Sequence, residues 1–140
     1  MKHLYDWVDR KIRARRRRLH ESARATGEFR RHTGGRTLFG QLTLSAVPAA
    51  EFTYTSRVTW PVGEQVQLYE DCILDGILDI LMVQHEPPVL GMAITLEEIS
   101  WHEVDSCALA YGMAARQAIE RILSPERRAP NYEFIDLPSA

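Results

Sequence analysis

A chain of 140 residues, 45% apolar and 26% charged, can bury one core and has the composition of an ordinary soluble domain. No run approaches the roughly 18 apolar residues of a membrane helix, and the charged N-terminus does not read as a secretory leader, so a cytoplasmic protein with no membrane partner is expected. The net charge of -2 hides an asymmetry: residues 1–36 hold 12 Lys/Arg against 4 Asp/Glu, and residues 37–140 hold 5 against 15.

Residues 3–19 have helical spacing, with Leu4, Trp7, Val8 and Ile12 on one face. Arg13, Arg15, Arg16, Arg17 and Arg18 follow as a dense basic arm, and residues 1–26 are set apart from the body. Such an arm either contacts phosphates, releasing their counterions, or pairs with the acidic body, and the sequence leaves both open. Residues 28–32 read as a short strand, and Thr33-Gly34-Gly35-Arg36 as a turn, because paired glycines allow positive φ. Leu38 to Ala46 alternates with period two and is a strand; Phe52 to Trp60 alternates likewise and is rich in β-formers. These three strands are expected to form an antiparallel meander.

Tyr69, Cys72, Ile73, Gly76, Ile77, Ile80 and Leu81 then share one helix face, with Glu70, Asp71, Asp75 and Asp79 off it and expected in solvent. Pro87-Pro88 ends that helix, and Val89 to Leu96, apolar on both parities, suits a central strand. Residues 107–123 form a second helix whose Tyr111, Ala114, Ala115, Ala118, Ile119 and Ile122 face inward. Its alanines allow close approach to the sheet or to the first helix. Asp105 and Ser106 are suited to cap it, since their side-chain oxygens accept from free N–H groups of the first turn. Residues 125–140 read as a tail with a short extended piece at Tyr132 to Leu137. The fold class is therefore α+β: a two-layer sandwich, a four-stranded sheet with two helices on one face in the order βββαβα.

No phosphate-binding glycine loop or nucleophile elbow is present. His20-Glu21, His85-Glu86 and His102-Glu103 each lack a second histidine at helical spacing, so no metal site is expected. His102 beside Glu103 and Asp105 has the chemistry of an acid/base pair but no predicted pocket, so no catalytic residue and no cofactor are expected. Cys72 and Cys107 read as small buried hydrophobes rather than a disulfide.

Two stretches carry a resemblance. Residues 27–40, Gly-Glu-Phe-Arg-Arg-His-Thr-Gly-Gly-Arg-Thr-Leu-Phe-Gly, look like the opening of domain IV of translation elongation factor G. Residues 100–106, Ser-Trp-His-Glu-Val-Asp-Ser, resemble the same domain's second tip loop, and Leu109-Ala110-Tyr111 with Ala114-Ala115 resembles the helix that follows it. The resemblance covers roughly residues 19–123. It implies a domain over 27–124 with a fold like the second domain of ribosomal protein S-five. It also implies a tip that enters the decoding centre of the small ribosomal subunit, without GTPase activity.

On that footing Arg36 would approach a phosphate, Gly34 and Gly35 would permit close approach, and His102 would lie near the tRNA anticodon stem. Arg30, Arg31, His32 and Trp101 complete the expected RNA-binding set, beside the arm. The expected partner is the small ribosomal subunit or another structured RNA. The rival expectation is a protein–protein module, a homo-oligomer held by the basic N-terminal segment on an acidic body.

Overall fold

A computed structural model describes residues 17–85, 87–125 and 129–134. Among these, six strands and two α-helices form a mixed α+β domain. The strands are β1 (Arg17–Leu19), β2 (Ala23–Thr33), β3 (Arg36–Pro48), β4 (Thr53–Ser56), β5 (Val89–Ser100) and β6 (Tyr132–Phe134). Helix α1 (Val66–Leu78) continues into a π-helical turn (Asp79–Val83), and α2 is Ala108–Leu123. The sheet order is β2-β3-β5-β1-β6, with β4 also on β5.

β2 and β3 form a long antiparallel hairpin because Gly34 and Gly35 both take positive φ (57° and 77°), the geometry of a two-residue turn whose twist matches its strands. The expected meander stops there. β3 pairs next with β5, and β4 lies parallel to β5, reached through the α1 crossover. A parallel pair needs such a connection, because a tight turn can only reverse the chain. Phe52–Trp60 is a strand only over Thr53–Ser56. Beyond it, Trp60 donates through Nε1 to Glu70 Oε1 (2.8 Å), and Tyr54 donates to the other oxygen (2.5 Å). Glu70 is thus half-buried and doubly bonded, where solvent was expected.

The sheet has six strands rather than four because both chain ends join it. Arg17–Leu19, expected as the end of a helix, is instead β1, parallel to β5 and antiparallel to β6. The breaks expected at residues 26 and 125 therefore do not bound the fold. Asn131, 8% exposed, locks this root of the sheet: its side chain exchanges hydrogen bonds with the Glu21 backbone (2.9 and 3.0 Å) and donates to Ile122 O (3.2 Å). The expected helix over residues 3–16 and the extended piece past Phe134 lie outside the described residues.

One contiguous core joins the sheet to both helices. Leu42, Leu44, Met92, Ile94 and Leu96 meet Ile73, Ile77, Ala114, Ala118 and Ile119, all at most 1% exposed. Each such large aliphatic side chain contributes about 1.5–3 kcal/mol by leaving water. Helix α2 lies almost on the strands: a Cβ at Gly27 would sit 1.9 Å from Ala114 O, and one at Gly40 2.5 Å from the Ala110 carbonyl carbon. Glycine at these two positions lets the alanine face of α2 reach the sheet backbone.

Candidate functional site

The two motif stretches meet at one end of the sheet. Phe39 N–H donates to Asp105 O (2.9 Å), Cys107 N–H donates to Phe39 O (3.4 Å), and Phe39 forms an isolated parallel bridge with Ser106. The hairpin end and the 100–106 loop therefore share backbone hydrogen bonds across more than sixty positions of sequence.

Strand periodicity assigns the side chains to faces. Arg30 pairs with Phe39, and His32 with Thr37, so these four lie on the sheet face away from the helices. Arg31 pairs with Leu38 and Thr33 with Arg36, which places Arg31 and Arg36 on the other face of the hairpin. The tip is thus two-sided. All four cationic or titratable side chains, Arg30, Arg31, His32 and Arg36, are exposed.

His102 reaches the same face as Arg30 because of a β-bulge. Up to Leu96, the even residues of β5 (Met92, Ile94, Leu96) face the helices. Between Thr43 and Leu44 of β3 the register shifts, leaving Glu97 as the extra residue. One inserted residue inverts the alternation. Ile99 and Trp101 then point to the helices, while Ser100 and His102 point outward. Ser45 donates to Glu97 (2.8 Å), and Arg57 lies 3.6 Å from it, so the bulged residue is held by its neighbours.

Phe39 is the platform between the motifs. It is 2% exposed although it lies on the open face, because the His102 ring packs on it (4.1 Å between centroids) and the Arg30 guanidinium lies over it (5.0 Å). An imidazole and a guanidinium are thereby held against one aromatic ring, an arrangement that offers donors and flat faces to phosphates or stacked bases.

A hydrogen-bonded chain fixes the loop beneath His102. Tyr111 Oη donates to Ser100 O (2.6 Å), so it accepts from Ser106 Oγ (3.0 Å), which itself accepts from His102 N–H (2.8 Å). Burial pushes the Tyr111 phenol above its ordinary pKa, which keeps it protonated as the terminal donor. Ser106 closes its own loop and does not cap α2; the N-cap is Cys107, without a side-chain bond. Asp105 offers its backbone, not its carboxylate, as the acceptor from Phe39.

Trp101 is not part of the outward set. It is half-buried and stacks on Tyr111 (6.0 Å, 13° between planes), with Trp60 and Tyr69 beside it. Two arm residues also leave the set. Arg17 donates to Pro87 O and lies over Tyr132 (4.7 Å), and Arg18 pairs with Glu133 (3.1 Å). Of the two roles left open for the arm, these two arginines take the internal one. Arg13, Arg15 and Arg16 lie outside the described residues. Sequence reading missed Phe39 and Tyr111 as site residues, having placed Tyr111 only in the core and given Phe39 no separate role.

No group of three or more metal-ligating side chains occurs among the described residues. No described helix is long and apolar enough to cross a membrane. No family model matches the chain. The structure is similar to the crystal structure of a protein from Thermus thermophilus, with a TM-score of 0.66 and 30% identity. The match covers 77% of this chain and 16% of that protein, so the chain spans a small part of the longer molecule.

Proposed function

We propose that this domain is a non-catalytic, cytoplasmic RNA-binding module that presents its hairpin tip to the small ribosomal subunit or a comparably structured RNA. The carrying observation is the convergence of two distant motifs on Phe39, with Arg30 and His102 held against its ring. Arg31 and Arg36 on the reverse side of the hairpin give the tip a second cationic face. The resemblance to domain IV of elongation factor G, in a fold like the second domain of ribosomal protein S-five, supports the same reading. The convergent site holds exposed cations and a covered aromatic platform, which suits a duplex edge or loop better than a small substrate.

The test is co-sedimentation of the chain with purified small ribosomal subunits over a salt series, wild type beside an Arg36→Glu/His102→Ala variant. Wild-type pelleting that falls with salt, with the variant left in the supernatant at every salt concentration, is the expected result. Equal pelleting of both, or none at low salt, overturns the proposal.

A further inference from the structure

β2 stands at one end of the sheet order, so one of its sides faces no other strand. Its register with β3 runs unbroken from Ala23↔Ala46 to Thr33↔Arg36, and in such a ladder the main-chain N–H and C=O groups point alternately to the neighbour and away from it. Two contacts fix which residues point away. Glu28 N–H donates to Gln117 Oε1 (2.7 Å), and Arg121 donates to Thr26 O. Thr26, Glu28, Arg30 and His32 therefore turn their main chain outward. Gln117 and Arg121, one turn apart on α2, cap this edge at Thr26 and Glu28. Toward the tip the cap ends. No hydrogen bond to Glu28 C=O, or to the outward main chain of Arg30 or His32, occurs among the described residues.

The uncapped stretch is cationic. Glu28 is the one acid of β2, and Arg30 lies 3.6 Å from it. Arg30 is exposed on the open face of the sheet and Arg31 on the other, so guanidinium groups flank the edge on both faces. A strand laid along this edge alternates its own side chains between the same two faces, and opposite charges directly across a ladder stabilise it. Carboxylates at successive positions would thus meet an arginine on each face. Two copies of this chain paired antiparallel through the same stretch would set Arg30 against Arg30 and repel. A nucleic acid supplies negative charge but not the alternating donors and acceptors of a main chain.

We propose that the tip half of β2 takes an extended acidic segment of a partner protein as an added strand. The added main chain pairs with Glu28 C=O and with the N–H and C=O of Arg30 and His32. Its carboxylates lie against Arg30 and Arg31, and the Gln117 side chain marks where it stops. The inference goes beyond the RNA reading and does not need it, since it uses main chain along the side of the hairpin rather than the Phe39 platform.

The probe is the peptide acetyl-Val-Glu-Glu-Val-Glu-Glu-Val-amide, titrated into the full chain and followed by amide NMR. In the free chain the Arg30 and His32 amides should exchange faster than that of Arg31, which points to β3. Saturating peptide should slow Arg30 and His32 at least tenfold and leave Arg31 unchanged. The same peptide N-methylated throughout keeps its charge but cannot form a ladder, and it should bind at least tenfold more weakly. So should the parent peptide to Arg30→Glu/Arg31→Glu. Equal binding of the methylated peptide would reduce the contact to charge attraction and overturn the proposal. Saturation that leaves the Arg30 and His32 amides fast, or no binding at millimolar peptide in low salt, would do the same. A dimer formed without peptide, with the Arg30 amide already slow, would assign the edge to a second copy and overturn it too.

Discussion

At the root of the sheet, Arg17 and Arg18 are taken up by the fold: one is bonded to a carbonyl and stacked on Tyr132, the other is paired with Glu133. At the tip, Arg31 and Arg36 are exposed on a hairpin end, and no hydrogen bond or ion pair of their side chains occurs among the described residues. Arg30 is intermediate, 3.6 Å from Glu28 and lying over Phe39. All five arginines belong to the same basic first quarter of the sequence, residues 1–36, yet their roles separate along the sheet. A basic composition therefore says little until each guanidinium has been given its neighbours.

The largest expected effect tests what orients the tip. Inserting one alanine after Glu98 adds a further residue to β5 and inverts the alternation beyond it. Ile99 and Trp101 would turn to solvent and His102 toward the core, so the loss of stability should exceed about 4 kcal/mol, in the range of several large core truncations. Thermal unfolding followed by circular dichroism should show loss of the cooperative transition. A stable variant would mean that the loop can re-register independently of the bulge.

Next comes the root. Asn131→Ala removes an acceptor for Glu21 N–H and a donor to two carbonyls, all at a site 8% exposed. Leaving buried backbone groups unpaired should cost about 3 kcal/mol, measured as a lower urea midpoint with an unchanged slope. The RNA affinity proposed for the tip should persist in the fraction that remains folded. A matching loss of affinity would show that root and tip are not separable.

These two cases also mark what the sequence reveals. The hairpin was legible, because Gly34-Gly35 and the period-two run after it are local signals. Both helices were legible from their apolar spacing. β1 was not: it has three residues, and Arg17 finds its partners at Val89 and Phe134, so nothing near it in sequence marks a strand, while β6 was foreseen only as an extended piece from Tyr132 and not as part of the sheet. The parallel pairing of β4 was hidden for the same reason. The bulge did leave a trace, since the apolar series 92, 94, 96 resumes at 99 and 101, a step of three where two is the rule. That step predicts an inserted residue, and it would have extended β5 past Leu96. At the site, the two stretches singled out by resemblance are brought together by the structure. Phe39 and Tyr111 were not legible as site residues, because a buried platform and a buried clamp have the composition of ordinary core.

A smaller effect isolates that clamp. Tyr111→Phe keeps the ring against Trp60 and Trp101 but deletes the hydroxyl between Ser100 and Ser106. The expected cost is about 1–2 kcal/mol in chemical unfolding. Amide exchange should quicken at His102 and Ser106, whose N–H groups close the loop, and not in β1 or β6. Uniformly faster exchange would assign Tyr111 to the core alone.

Arg36→Glu should change stability by less than about 0.5 kcal/mol, as befits an exposed side chain at a hairpin end. RNA binding is where it should register: weaker affinity, and a log–log salt dependence shallower by about one phosphate contact. Arg18→Gln at the root should do the reverse, lowering stability slightly and leaving the salt slope unchanged. Identical behaviour of the two variants would erase the distinction between tip and root.

The smallest expected effect is a pH dependence confined to the root. The Glu133 carboxylate accepts from Arg18, and His20 lies 3.3 Å from it; these contacts, Arg18 first, hold its pKa below the ordinary value of 4.5. A carboxyl whose folded pKa is depressed binds fewer protons in the folded state than in the unfolded one. Its contribution is therefore complete above 4.5 and is lost as the pH falls through the lowered folded value. Glu133 is a surface group, so the contribution is small and should shrink further with salt. Wild type and Glu133→Gln should differ in urea midpoint at pH 6, and the difference should close on descent toward pH 3 in low salt, with Glu133→Gln the flatter profile. Parallel profiles over that range would mean that the Arg18–Glu133 contact adds nothing in solution, leaving Arg18 held at the root by β1 pairing alone.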